Sequence, residues 1–168
     1  MSTSFLRRLG RMFLVLLVQL ILLNNIHLFG YVSPVIIAFV TMNFRRGSSR
    51  MGLLLWGFIT GFLYDLFSNT MGMGMFTATL LAMLQPFLLS LFTPRDAAED
   101  MLPSMYEMGM HRYLLYTFFS MLLFHVVYYL LDAFMLSNIW LTLVAIGTGT
   151  LFSFFILALF QSMTRRVE

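Results

Sequence analysis

One stretch of the chain combines a histidine, two tyrosines and a carboxylate at helical spacing. His125, Tyr128, Tyr129 and Asp132 recur at i, i+3/i+4 and i+7, so they would form a polar stripe on one helix face. A histidine beside a carboxylate could relay protons or bind a metal ion. Because the sequence offers no second histidine at ligand spacing, we favour a buried, hydrogen-bonded His125 over either of those roles.

A second carboxylate belongs to a helical pattern that also contains two glycines. Gly57, Gly61 and Asp65 are spaced by four residues and share one helix face. Glycines at this spacing let another helix approach closely, and the carboxylate would point into that contact rather than at lipid. We expect Asp65 to accept hydrogen bonds from backbone N–H groups of the following turn, where Gly72 and Gly74 permit tight geometry. The alternatives are a partner contact or a proton or substrate site.

The other polar and small residues of the apolar segments are expected to serve helix packing. Ala145, Gly149 and Ser153 form a small-residue face, which we expect to pack inside the protein. Pro86 frees a backbone carbonyl, and we expect the amide of Gln85 to help satisfy it. The sequence shows no nucleophile–base pair, phosphate-binding loop or acid pair. We therefore expect no enzyme, and no catalytic, cofactor or metal site.

The composition of the chain is typical of a membrane protein. Hydrophobic residues make up 60% of the chain and charged residues 10%, and the mean hydropathy is +0.88, whereas soluble domains carry about 25% charged residues. The absence of cysteine excludes disulfides and thiolate metal sites. The basic residues are all arginines at the ends of apolar runs, where anionic lipid headgroups account for them. We therefore expect contact with membrane lipid and none with nucleic acid.

The arginines separate six apolar segments into three pairs. Since basic residues beside membrane spans stay on the cytoplasmic side, this arrangement predicts three helical hairpins with both termini cytoplasmic. We predict an all-α, multi-pass integral membrane protein with a single transmembrane domain, residues 1–168. The predicted spans are about 10–26, 31–44, 51–67, 73–92, 112–133 and 138–163. The second is short and contains Pro34, so five full spans plus a re-entrant segment is the alternative.

The only sizeable loop between spans is predicted to contain a short helix on the inner leaflet. Thr93 and Pro94 resemble an N-cap and a first helical residue. The predicted apolar face, broken near Pro103, consists of Met101, Leu102, Met105 and Tyr106.

The stretch from Gly57 to Asp65, followed by Met71-Gly72-Met73-Gly74, resembles the MreD family of rod-shape-determining proteins. That family shows a G-x-x-x-G-x-x-x-D helix, a short turn with glycines and another span. The resemblance extends to the chain length, the early proline after span one, the arginines between spans two and three and the short basic C-terminus. The acidic loop 96–100 has no counterpart in the family.

The resemblance implies a non-enzymatic scaffold of the cell-elongation machinery in the bacterial inner membrane, which helps maintain rod shape and direct peptidoglycan synthesis. Such a protein would bind MreC and lie near MreB and the RodA–penicillin-binding-protein synthase complex. The family is also similar in fold to the substrate-binding subunits of energy-coupling-factor transporters, so a vitamin-type transport subunit is the alternative. Those subunits dock through an Ala-x-x-x-Ala face on span one. Here that span carries bulky residues instead: Phe13, Leu14, Leu16, Leu17 and Leu20.

Overall fold

The computed structural model describes residues 3–23, 35–70, 72–94, 97–98, 100–133 and 139–164, and all regular secondary structure in these ranges is helical. The protein is therefore all-α, as predicted. In chain order the helices are α1 (Thr3–Val18, continued by a π-helical turn at Gln19–Leu23), α2 (Ala38–Met42), α3 (Arg50–Ser68), α4 (Met73–Phe92), α5 (Met105–Met108), α6 (Met110–Ala133) and α7 (Ile139–Thr164).

Four of these helices, α3, α4, α6 and α7, are long and apolar enough to cross a membrane. They coincide closely with the predicted spans 51–67, 73–92, 112–133 and 138–163. Large apolar side chains such as Phe58, Phe87 and Phe155 are exposed on their outer faces. Because lipid, unlike water, is a favourable environment for such faces, these helices indicate a multi-pass membrane protein.

The first two predicted spans are described only in part. Helix α1 begins at Thr3, before the predicted start of span 10–26. In the second span, residues 31–34 lie outside the described ranges, and α2 has only five residues. At about 1.5 Å per residue, α2 covers about 8 Å of a hydrocarbon layer about 30 Å thick. The six-span prediction and the re-entrant alternative therefore both stay open.

The described part of segment two, residues 35–44, lies at the centre of the bundle. Val35, Ile37 and Ala38 are completely buried. Helix α2 contacts α1, α3, α4 and α6, and the ring of Phe39 packs edge-on against that of Phe160 in α7 at 6.1 Å. A short helix that contacts so many longer ones acts as the core around which they pack.

Helices α3 and α4 form a tight hairpin whose turn needs left-handed backbone. Asn69 ends α3 with φ of 55°, and Gly72 precedes α4 with φ of 79°. Glycine adopts such angles without steric strain, and asparagine is one of the few other residues that tolerate them. This turn lies at one end of the bundle, while Arg50, at the start of α3, lies at the opposite end, which we call the arginine end.

The described residues at the start of the loop after α4 are not helical. The N–H group of Thr93 donates to the carbonyl of Leu89 at 3.0 Å, and its hydroxyl donates to the same carbonyl at 2.6 Å. The side chain of Thr93 therefore completes the end of α4, and the described residues that follow it (Pro94, Ala97 and Ala98) are not helical, in contrast to the predicted helix start. Helix α5 begins after Ser104 instead, whose Oγ accepts a hydrogen bond from the N–H of Glu107 at 3.2 Å.

This loop closes the arginine end of the bundle. Met101 and Met105 are buried, whereas Tyr106 is 93% exposed, so the predicted apolar face is only partly realised. Arg46 fixes the loop through its backbone N–H, which donates to Met101 O at 2.9 Å, and through Nη1, which donates to Ala97 O at 3.1 Å. The loop is held by backbone carbonyls and buried methionines rather than by helix periodicity.

Candidate functional site

Both carboxylate oxygens of Asp65 accept hydrogen bonds from the start of α4. Oδ1 accepts from the N–H of Gly74 at 2.9 Å, and Oδ2 accepts from the N–H of Met75 at 2.8 Å. The hydroxyl of Thr70 also donates to Oδ1. The first N–H groups of a helix have no partner within it, and negative charge is favourable there. A side chain of α3 therefore caps α4, with the hydrogen bonds expected from the sequence.

Gly57 and Gly61 lie where the backbones of α3 and α4 approach most closely. A Cβ atom on Gly61 would lie 2.5 Å from Gly74 O, and one on Gly57 would lie 2.8 Å from Ala78 O. Gly74 in turn faces the carboxylate, since a Cβ there would lie 2.7 Å from Asp65 Oδ1. Because the obstacles to Gly57 and Gly61 are backbone atoms, any larger residue would force the two helices apart.

A shallow depression adjoins Asp65 at the end of the bundle opposite the arginine end. Its empty volume is about 470 Å³. The residues that line it are Phe62, Asp65, Leu66, Thr70, Gly72 and Met75. A carboxylate offers about four acceptor positions, and among the described residues Thr70, Gly74 and Met75 occupy three of them at Asp65. The depression could thus receive a cationic group against an apolar wall.

His125 is completely buried where α6 packs on α7. Its Nδ1 lies 2.9 Å from Met121 O, and since a carbonyl oxygen only accepts, Nδ1 carries the hydrogen. The Nε2 atom of the neutral ring then accepts from the hydroxyl of Ser153 at 3.3 Å. Gly149 makes room for the ring, because a Cβ there would lie 2.8 Å from His125 Cδ2. His125 is thus buried and hydrogen-bonded, as expected.

The small-residue face of α7 packs inside the protein, as expected, and it also supplies a polar group. Ala145, Gly149 and Ser153 are all buried. Ser153 Oγ accepts a hydrogen bond from the N–H of Val35 at 3.1 Å while it contacts His125. The pair Ser153 and His125 therefore anchors Val35, a non-helical residue of segment two.

Gln19 satisfies the next amide of segment two. Its Oε1 accepts from the N–H of Ile36 at 2.7 Å, and Gln19 is completely buried. Irregular backbone is tolerated at membrane depth only where protein satisfies its polar groups. Here Ser153 of α7 satisfies the N–H of Val35, and Gln19 of the first segment satisfies the N–H of Ile36.

The end of segment two is capped by two further buried side chains. Tyr116 donates its hydroxyl to Met42 O at 2.9 Å, and Gln85 donates Nε2 to Phe44 O at 3.2 Å. Both side chains are completely or almost completely buried. Gln85 was expected to serve the carbonyl freed by Pro86, but its amide donates to segment two instead.

The sequence reasoning missed Gln19 and Tyr116 as members of this polar core. The available signal for Gln19 was its position as a lone amide in the apolar run 12–23, where an unpaired polar side chain would be unfavourable. Tyr116 carried no comparable signal, because a tyrosine in a membrane helix also suits packing or an interface position.

The other residues of the predicted polar stripe connect α6 to the hairpin. Tyr128 and Tyr129 are buried, and Asp132 is partly exposed. The ring of Tyr128 packs edge-on against that of Tyr64 at 6.4 Å, beside Asp65 on α3. The structure thus joins the stripe and the Gly57/Gly61/Asp65 face into one region.

The described residues contain no group of three or more histidine or acidic side chains placed to hold a metal ion. Comparison with known proteins finds no family model, curated protein or solved structure that matches this chain.

Proposed function

We propose that this chain is a non-enzymatic scaffold of the bacterial cell-elongation machinery. In this role it lies in the inner membrane, binds MreC and helps maintain rod shape and direct peptidoglycan synthesis. The observation that carries the proposal is the α3–α4 hairpin. The residues that resemble the MreD family form one packed unit, in which Gly57 and Gly61 admit α4 and Asp65 caps it.

The use of the buried polar side chains supports a binding role. Gln19, Gln85, Tyr116 and Ser153 all hydrogen-bond to the backbone of segment two. The carboxylate of Asp65 and the ring nitrogens of His125 are also engaged by groups of the protein, as described above. These groups maintain the shape of the bundle, and that shape determines which faces a partner meets.

The outer face of α3 is the surface we propose for MreC. It presents a continuous apolar stripe that leads to the depression beside Asp65. The exposed residues of the stripe are Met51, Leu55, Phe58, Ile59, Phe62 and Leu66. A transmembrane helix of the partner would pack along the stripe. A basic residue beyond the partner helix would then lie beside the carboxylate of Asp65, an arrangement that favours correct orientation.

Affinity purification from native membranes tests the function. Recovery of MreC, with MreB and the RodA–penicillin-binding-protein synthase complex, supports the scaffold. Recovery of an ATPase-driven transport subunit, or tight binding of a vitamin-like molecule, overturns it in favour of the transporter alternative and its related fold.

Site-specific photo-cross-linking tests the surface. A photoreactive residue at Phe62 or Leu66 should cross-link to MreC in living cells. The matched control is Phe87 on α4, which is equally apolar and similarly exposed (62%, against 61% for Leu66) but lies on another helix. Equal cross-linking from Phe87 and Leu66 would refute the α3 surface without refuting the function.

A further inference from the structure

A narrow cleft at the arginine end contains two arginines beside aromatic side chains. Arg8 and Arg11 are one helical turn apart on α1, and both line the cleft with Asn43, Phe44 and Trp56. The described lining residues include no acid, and the cleft has an empty volume of about 340 Å³. The two guanidinium groups therefore give the described lining of the cleft a positive charge.

Among the described residues, Arg8 contacts an aromatic ring and no carboxylate. Its Cζ atom lies 4.9 Å from the centroid of the Phe44 ring, within the range of a cation–π contact. Phe44 is itself buried. Stacking orients the guanidinium but leaves its positive charge unneutralised, and its N–H groups suit the oxygen atoms of a phosphate.

A wholly apolar groove continues from this cleft toward the middle of the bundle. It lies between α1, segment two and α7 and has an empty volume of about 380 Å³. Val15 and Phe39 line both the cleft and the groove, so the two adjoin. Leu14 and Phe160, which are 50% and 46% exposed, form its open side. The remaining lining residues are Val18, Ile36, Ile156 and Leu157.

The combined length of the cleft and the groove matches the thickness of one leaflet of a bilayer. From Arg8 to Val18 the α1 axis rises about 15 Å, which is half of a hydrocarbon layer about 30 Å thick. Arginines beside spans lie on the cytoplasmic side, whose leaflet carries the anionic lipids. A molecule with a negative headgroup and an apolar chain of one-leaflet length would fit both parts.

We propose that the cleft and groove form a binding site for one anionic phospholipid of the cytoplasmic leaflet. The phosphate contacts Arg8 and Arg11, and an acyl chain lies in the groove between α1 and α7. The lipid would then seal α1 against α7, two helices that otherwise meet mainly through segment two.

Native mass spectrometry of the full chain in mild detergent tests the site with two probes, phosphatidylglycerol and phosphatidylcholine of identical acyl chains. We expect one retained phosphatidylglycerol per protein and much weaker retention of phosphatidylcholine. The double variant Arg8→Gln/Arg11→Gln should weaken phosphatidylglycerol binding by roughly 30-fold, and Arg11→Gln alone by about fivefold. The charge-matched control, Arg45→Gln/Arg50→Gln, removes exposed arginines outside the cleft and should change binding less than threefold.

Two further measurements examine the groove. Val18→Phe fills it without a change in charge and should reduce phosphatidylglycerol binding, and soluble glycerol phosphate, which has no acyl chain, should fail to compete. Equal retention of the two lipids, unchanged binding by the double variant, competition by glycerol phosphate, or unaltered binding by Val18→Phe would each overturn the proposal. Photo-cross-linking from Val18 in membranes to a protein rather than to lipid would assign the groove to a partner helix and would also overturn it.

Discussion

The side-chain oxygen of Gln19 lies 2.7 Å from the backbone nitrogen of Ile36, and both residues are buried. This hydrogen bond joins the end of the first helix to Ile36, a non-helical residue of segment two. The buried N–H of Ile36 cannot donate to water, so the backbone can run through this position only if the protein supplies an acceptor.

We predict that Gln19→Leu destabilises the protein by about 1–3 kcal/mol, because it removes the acceptor and leaves a buried N–H group unsatisfied. The measurement is the unfolding equilibrium of purified protein in detergent. Gln161→Leu is the control, since Gln161 is partly exposed near the end of α7. Equal stability of wild type and Gln19→Leu would show that the bond to Ile36 contributes nothing.

Even one added methyl group should weaken the contact between α3 and α4. Gly61→Ala places a methyl group against the backbone of Gly74, and Gly61→Leu separates the helices further. We expect a loss of stability of about 1–3 kcal/mol from overpacking, larger for leucine. Gly147→Ala on α7 is the matched control, because its added Cβ would meet no atom within 4 Å beyond its chain neighbours and the nearby backbone of its own helix. Similar unfolding temperatures for Gly61→Ala and Gly147→Ala would contradict the close approach.

For the stability of the folded protein, the charge of Asp65 should matter less than its hydrogen bonds. Asp65→Asn keeps one oxygen as an acceptor for the start of α4, whereas Asp65→Leu keeps none. We expect Asp65→Leu to lose about 2–4 kcal/mol and Asp65→Asn clearly less, since each bond to a charged group contributes about 1.5–3 kcal/mol. Unfolding measurements should be paired with cell-shape complementation. If Asp65→Asn folds fully but abolishes function, the carboxylate acts through its charge rather than as a cap.

The topology can be read with reporter fusions along the chain. Fusions after Asn25, Asn69 and Asn138 should report an extracytoplasmic position, and fusions after Arg46, Ala98 and Glu168 a cytoplasmic one. The physical reason is that arginine clusters resist translocation. Opposite positions for the two termini would rule out the six-span arrangement.

The hairpin was predictable from sequence because its contacts are local. Gly57, Gly61 and Asp65 follow one helical repeat, and their partner, Gly74, comes soon after them in the chain. Spacing alone therefore indicated a close helix contact with a carboxylate in it. The four long helices were predictable for a related reason, since length and hydropathy are properties of each segment by itself.

The polar core around segment two was not predictable, because its hydrogen bonds join distant parts of the chain. Gln85 was assigned to its neighbour Pro86, whereas its amide donates to Phe44, 41 positions away. Thr93 was read as the start of a helix because the sequence pattern of an N-cap does not reveal that the hydroxyl already serves the preceding helix. The contact of Gln85 is set by the tertiary fold, whereas that of Thr93 is local, with an acceptor only four residues earlier in the chain.

The bond between Val35 and Ser153 has a consequence for biosynthesis. These residues are 118 positions apart, so the N–H of Val35 leaves the ribosome long before its acceptor is made. Until the last helix enters the membrane, the N–H of Val35 lacks the acceptor that it has in the complete fold. Truncation within α7 should therefore expose segment two to quality-control proteases. We therefore expect only chains that contain Ser153 and the rest of α7 to resist these proteases.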